Sequence, residues 1–357
     1  MHLPRNAQLW LPGYLRSVFT SFGRKPERVW VMLADHFEPL RGGVDEETAR
    51  CRVDKWKERW LEVATRHCDS QGRAPRYTCF YAEEEYRPHL LDALAEMAED
   101  DFLDVEIHLH HDGESEQRFV DRISCFKETL FRRHGLLRKQ GGRVVFGFVH
   151  GNWALDNSLP GGQHCGLNNE ISLLSHLDCY ADFTLPSAPS AAQTRIVNSI
   201  YWASDDPQHP KSHDTGDLVT PGAAITGDLL MVQGPLAVNW HSRKFGFFPR
   251  LETGELAAAT PISKERVQLW FRYAPQIGAD LFIKLFSHSV LEKNAEALFG
   301  EDLTRTFDLL DTECRRNNWE LRYASAWDIY AAIEKARLQT DIDQISSRVT
   351  SRSLADG

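Results

Sequence analysis

The chain has 357 residues, enough for one large α/β domain, and 42% of them are hydrophobic, enough to bury a sizeable core. Its net charge of −10 excludes nonspecific nucleic-acid binding, which needs a basic surface, and argues equally against docking on an anionic membrane. The seven cysteines are scattered, odd in number and free of any Cys-x-x-Cys pair, which fits reduced thiols and gives no zinc-ribbon pattern.

The first 23 residues carry Arg5 and Arg16 but no apolar stretch of signal-peptide length, and no run is apolar enough to span a bilayer. The expectation is a cytoplasmic protein without a membrane span. Residues 28–34 (RVWVMLA) form an apolar run that predicts a buried strand, followed by a loop at Asp35-His36-Phe37-Glu38. Residues 46–67 predict a helix, with Trp56 and Trp60 four apart. Residues 76–81 predict a second strand, followed by an acidic loop with Glu83 and Glu84. A helix over 88–99 starts with Pro, and residues 103–109 form a third strand. A long amphipathic helix covers 116–137. Residues 143–149 form a fourth strand that stops at His150-Gly151-Asn152-Trp153.

Residues 168–177 predict a helix and 180–185 a fifth strand. From 187 to 250 the pattern is irregular, with short strands at 196–202 and 229–232, and reads as an insertion that can act as a lid. A helix at 264–273 and a strand at 281–286 follow. Helix 303–316, strand 320–324 and helix 326–337 complete a single domain over 1–340, with residues 341–357 as a polar, flexible tail. The alternation of strands and helices predicts a parallel α/β sheet covered on both faces.

Polar residues gather after the C-terminal ends of the strands, the edge where α/β barrels carry their active sites. The densest group is His108-Leu109-His110-His111-Asp112, which ends the third strand. Imidazoles and carboxylates are the ligands that zinc and similar divalent metals prefer. Side chains alternate across a strand, so His108 and His110 share a face, while His111 and Asp112 can turn either way. These four form the candidate metal set. Glu84, His150, Asn152, Trp153 and Asp156 are candidate substrate contacts.

These motifs resemble the polysaccharide deacetylase (NodB-homology) superfamily. The resemblance spans roughly residues 28–335 in element order and is sharp only at the motifs. It implies a distorted, seven-stranded (β/α) barrel and a divalent metal, zinc foremost, that removes N- or O-acetyl groups from sugars. Asp35 falls on the position of the family's catalytic base and His36 on a metal ligand. In the family's His-x-x-x-His motif, His110 matches the first position with Glu114 at the second, or His108 pairs with Asp112. LFIKLFSH matches the late motif and puts His288 in the role of general acid. The family's Arg that orients the base has no counterpart in residues 150–156, which marks a divergent branch. The expected function is a metal-dependent deacetylase acting on an acetylated sugar or glycan precursor in polysaccharide biosynthesis. The alternatives are a glycoside hydrolase on the same barrel, or an inactive barrel that binds glycans or scaffolds an assembly. A glycosidase needs two opposed carboxylates, Asp35 with Glu83 or Glu84.

Overall fold

A computed structural model describes residues 3–338, and the expected tail at 341–357 lies outside the described residues. The strands are β1 (Arg28–Phe37), β2 (Tyr77–Ala82), β3 (Leu103–Leu109), β4 (Arg138–Gln140), β5 (Arg143–His150), β6 (Cys179–Asp182), β7 (Ile200–Ala203), β8 (Gly216–Leu218), β9 (Leu229–Val232), β10 (Ala237–Lys244), β11 (Phe248–Glu252), β12 (Glu255–Leu256), β13 (Gln276–Ile277), β14 (Asp280–Ser287) and β15 (Glu320–Ala324). The helices are α1 (Ala7–Thr20), α2 (Glu46–Ala64), α3 (Pro88–Glu99), α4 (Glu116–His134), α5 (Glu170–His176), α6 (Lys264–Tyr273), α7 (Glu292–Ala297), α8 (Leu303–Asn317) and α9 (Ala326–Leu338). None of the helices described is long and apolar enough to cross a membrane.

The strands β14–β1–β2–β3–β5–β6–β9 pair in that order, all parallel. Helices α2, α3, α4 and α5 fill successive crossovers, as parallel pairing requires. β7 and β8 extend the sheet beyond β9 in antiparallel fashion. The resemblance implies a distorted seven-stranded barrel; among the described residues no ladder joins β9 to β14 to close one. Pro235 follows β9 closely and has no N–H to continue a ladder there. Lys284 of β14 instead reaches inward, and its Nζ donates to the carbonyls of Phe183 and Leu185.

The expected irregular insertion at 187–250 is more ordered than its composition suggests. β7, β8 and β9 lie in the main sheet, and β10 with β11 forms a separate two-stranded ribbon. α1 is the other departure, because Pro12 inside it breaks the pattern that would reveal a helix.

Strand parity divides the core. Val29, Val31 and Leu33 pack with Trp56, Trp60 and Leu91 under the helices. Met32 and Ala34 pack on the other face with Phe80, Val149, Phe183 and Phe286. α2 starts at Asp45, whose side chain caps the Thr48 N–H, and turns Val53, Trp56 and Trp60 inward. β1 also runs three residues further than its apolar run predicts. Asp35, His36 and Phe37 stay in the strand because β2 pairs beside them, with Asp35 opposite Cys79 and Phe37 opposite Tyr81.

That extension decides the place of Asp35. By parity it belongs with Leu33 and Phe37 on the helix-facing side. Its carboxylate accepts from Ser287 Oγ (2.5 Å) and Ser289 N (2.7 Å), and Trp56 Nε1 donates to Ser289 Oγ (2.6 Å). Asp35 thus ties β1 to the end of β14 beneath α2. Burial pushes its pKa up to about 6, against the hydrogen bonds from Ser287 and Ser289. A raised carboxylate pKa means that the folded state holds the proton longer, so this group's effect on stability worsens as pH climbs from 3.8 to about 6. Replacing Asp35 by Asn removes that dependence and keeps an acceptor for Ser289 N. Chemical denaturation of Asp35→Asn and wild type across that range should show the variant gaining relative stability with pH, by at most about 3 kcal/mol. A difference that stays constant with pH would refute the assignment.

Candidate metal centre at the strand ends

The other face of the same strand ends carries the histidines. In β1, His36 continues the inward parity of Met32 and Ala34, and Glu38 follows one residue past the strand's end. In β3, His108 follows Glu106 on the inward side, and His110 stands one residue past the strand's end. The pairings of Ala82 with His108 and of His108 with Val149 fix their height at the rim.

His108 is fully buried. Its Nδ1 lies 2.7 Å from Val149 O, and a carbonyl only accepts, so Nδ1 carries the proton and Nε2 presents a lone pair. That Nε2 has no hydrogen-bond partner and faces Glu38 Oε1 at 3.4 Å. His110 Nε2 meets the same oxygen at 3.2 Å, while its Nδ1 is held by Glu84 Oε1 at 2.5 Å. Glu38 Oε2 is turned the other way, onto Arg41. Three donor atoms therefore converge within 4.8 Å of one another. Tetrahedral zinc with bonds of about 2.0–2.2 Å places its ligands about 3.3–3.5 Å apart, close to the separations found here. The tautomer-setting contacts to Val149 O and Glu84 are the outer contacts that metal-bound histidines use.

Two further imidazoles line the group. The ring of His36 lies 5.0 Å from that of His108 and 4.8 Å from that of His288. His288 Nε2 is 4.0 Å from Glu38 Oε2, and its 16% side-chain exposure puts it at the mouth. Burial holds His36 well below its ordinary pKa and His288 down at about 4. For Glu38, burial is outweighed by His108, His288 and Arg41, so its pKa falls to about 2. In His110, burial is outweighed by the hydrogen bond and charge of Glu84, so its pKa rises.

The remaining candidates separate. Asp35 is tied under α2 and is not part of the group. Asp112 is exposed, and its Oδ1 accepts from His164 N (2.7 Å), docking a loop. His111 turns to the opposite side from His110 and lies against Glu170 (3.0 Å). His150 is fully buried beside it, 3.4 Å from Glu170, and is not at the substrate face. Asp156 is buried too. It accepts from Ser212 N and Glu170 N, which makes it a loop anchor rather than a substrate contact. Asn152 is exposed at the rim, and the Trp153 ring lies 6.3 Å from His36, so Trp153 lines the mouth. Gly151 is required beside them. A Cβ there would fall 2.3 Å from His110 Cδ2, so any larger residue would displace that imidazole.

Sequence reasoning placed Glu38 at the rim but left it out of the ligand set. The available signal was parity: it stands two residues after His36, on the same face. Cys165 was missed because the segment between β5 and α5 has no periodic pattern, and Glu170 because it stands at the start of a helix that the sequence places but does not aim.

No family model matches the chain, and no curated protein matches it. An alpha-mannosidase from Enterococcus faecalis V583 aligns with 87% of this chain at 10% identity and a TM-score of 0.45. This chain spans only 29% of that protein's length. The GH99 endo-alpha-mannosidase from Bacteriodes thetaiotaomicron, in complex with BIS-TRIS-Propane, aligns with 82% of this chain and 99% of its own. Its identity is 11% and its TM-score 0.31. Both are glycoside hydrolases by name, and at these values the likeness carries no argument about activity.

Proposed function

We propose that this protein is a metal-dependent hydrolase that removes an acetyl group from a sugar or glycan precursor. The observation that carries the reading is the orphaned, buried Nε2 of His108, aimed with His110 Nε2 at one oxygen of Glu38. Those three residues would hold a divalent metal of the zinc class, with His36 beside them. Such a metal supplies Lewis-acid polarisation of an acyl oxygen and makes water more acidic.

The chain's own groups divide the rest of the work. Glu84 orients His110, and the Val149 carbonyl orients His108. Arg41 holds the second oxygen of Glu38 and keeps that carboxylate pointing inward. His288, at the mouth, takes the proton of the attacking water and returns it to the departing sugar oxygen or nitrogen. It replaces Asp35 as the proton carrier, since Asp35 faces the helices. Trp153 gives the sugar a ring to stack on. The order of the strand-end motifs, similar to that of the deacetylase superfamily, supports the choice of an acetyl group. A glycosidase needs two free, opposed carboxyl groups. The rim carboxylates Glu38 and Glu84 are instead engaged by Arg41 and the histidines.

Purified protein reconstituted with zinc should release acetate from N- or O-acetylated oligosaccharides and lose that activity with a chelator. Cleavage of α-mannosides without acetate release would move the assignment to a glycosidase. Full activity after exhaustive metal removal would overturn the metal reading. Glu84→Gln, which keeps the size of the side chain but weakens its hold on His110, should lower metal affinity or activity about 10–100-fold. Isothermal titration with zinc and initial-rate assays measure both. An unchanged affinity and rate would show that Glu84 does not position the ligand.

A further inference from the structure

Behind the rim lies a second group that the proposed reaction does not use. His111 from the end of β3, His150 from the end of β5, Cys165 from the following loop and Glu170 from the start of α5 are all buried. Their ligating atoms all lie within 4.8 Å of one another. His111 Nε2 is 3.0 Å from Glu170 Oε1, His150 Nε2 is 3.4 Å from the same oxygen, and Cys165 Sγ is 3.3 Å from Oε2.

Three features point to a cation among them. Both imidazoles have Nδ1 on a backbone carbonyl, His111 on Cys165 O (3.2 Å) and His150 on Gly151 O (2.5 Å). For His150 this turns the Nε2 lone pair to the carboxylate, while His111 Nε2, hydrogen-bonded to Glu170 Oε1, holds a proton where a metal would bind. His150 Nε2 is fully buried and has no hydrogen-bond partner. A lone pair facing a carboxylate oxygen at that distance is repulsive unless something positive lies between them. The sulfur of Cys165 meanwhile receives two backbone N–H groups, from Asn157 (3.3 Å) and Leu167 (3.5 Å). Its S–H in turn donates to Glu170 Oε2 (3.3 Å), and burial pushes the thiol's pKa up; a metal would take the place of that proton, and the two N–H groups would then hold the thiolate, the form that binds metal.

We propose that His111, His150, Cys165 and Glu170 form a closed, structural metal site of the zinc class, separate from the rim centre. Two nitrogens, one sulfur and one oxygen make a four-ligand set. Their complete burial leaves no open position for substrate, the mark of a structural site. The loop is shaped to deliver the cysteine. Glu114 N donates to Cys165 O, His164 N donates to Asp112, and Gly166 lies so close that a Cβ would fall 2.5 Å from Glu114 N. The site joins the ends of β3 and β5 to the start of α5. It stands on its own four residues and does not depend on the proposed chemistry at the rim.

The test uses the full chain, stripped of metal and loaded with cobalt(II). Wild type should bind about one equivalent in a form with a thiolate-to-cobalt charge-transfer band, the optical signature of a cysteine ligand. The band should vanish in Cys165→Ser and survive in His108→Ala/His110→Ala, which empties only the rim. A chelator should expose one additional thiol to maleimide under native conditions, with peptide mapping placing it at Cys165. That measurement needs only wild type, so a misfolded variant does not block the test. A cobalt-loaded wild type without the band, a band that persists in Cys165→Ser, or a Cys165 whose labelling ignores the chelator would each overturn the proposal.

Discussion

The rim depends on the register of β3 against β5. His108 sits opposite Val149 and Leu109 opposite His150, so the Val149 carbonyl lies where it can hold His108 Nδ1. A slip of one residue would turn His108 and His110 to the helical side and bring Leu109 to the interior. The register is protected by what the alternate residues bury. Val105, Ile107 and Leu109 sit in the helix-facing core, where a slip would replace them with Glu106 and two histidines. The geometry of the His108–His110 pair is therefore secured by apolar packing on the opposite face of the strand.

The peptide between His110 and His111 is where two environments part. Up to His110 the chain keeps strand parity and the imidazole faces the mouth, with 29% of its side chain exposed. One residue later His111 is fully enclosed. The two clusters share a design: an imidazole anchored through Nδ1 and an Nε2 directed at a glutamate. Exposure separates them, since the rim group opens beside His36, His288 and Trp153, and the inner group is sealed by the 154–170 segment. Openness is what chemistry on a substrate requires, and closure is what holding loops together requires.

How much of this could be read in advance follows from which patterns carry periodicity. The parallel α/β order, β3, and the clustering of polar residues at one sheet edge were legible, because buried strands write themselves as short apolar runs. The length of β1 was not. Asp35-His36-Phe37 looks polar and loop-like alone, and only the neighbouring β2 keeps it extended. That error misassigned Asp35, since a residue after a strand end can face any direction but one within a strand obeys parity. Cys165 and Glu170 lie far in sequence from His111 and are brought to it by loop packing, which leaves no periodic trace.

The same packing makes the inner cluster matter to the outer one. His110 is pressed against Gly151, and Gly151 O receives Nδ1 of His150. A movement of His150 would shift the Gly151 peptide and with it the surface on which the His110 ring rests. His111 is covalently next to His110, so the inner group holds His110 from two directions, through the chain and through contact. Imidazole ligands tolerate little displacement, because a donor set loses affinity when its atoms leave the spacing the ion imposes. A rim site on strand ends alone would inherit the looseness of the loops that follow them. The buried His–His–Cys–Glu group, placed one residue beyond β3 and at the end of β5, removes that looseness where it would do most harm.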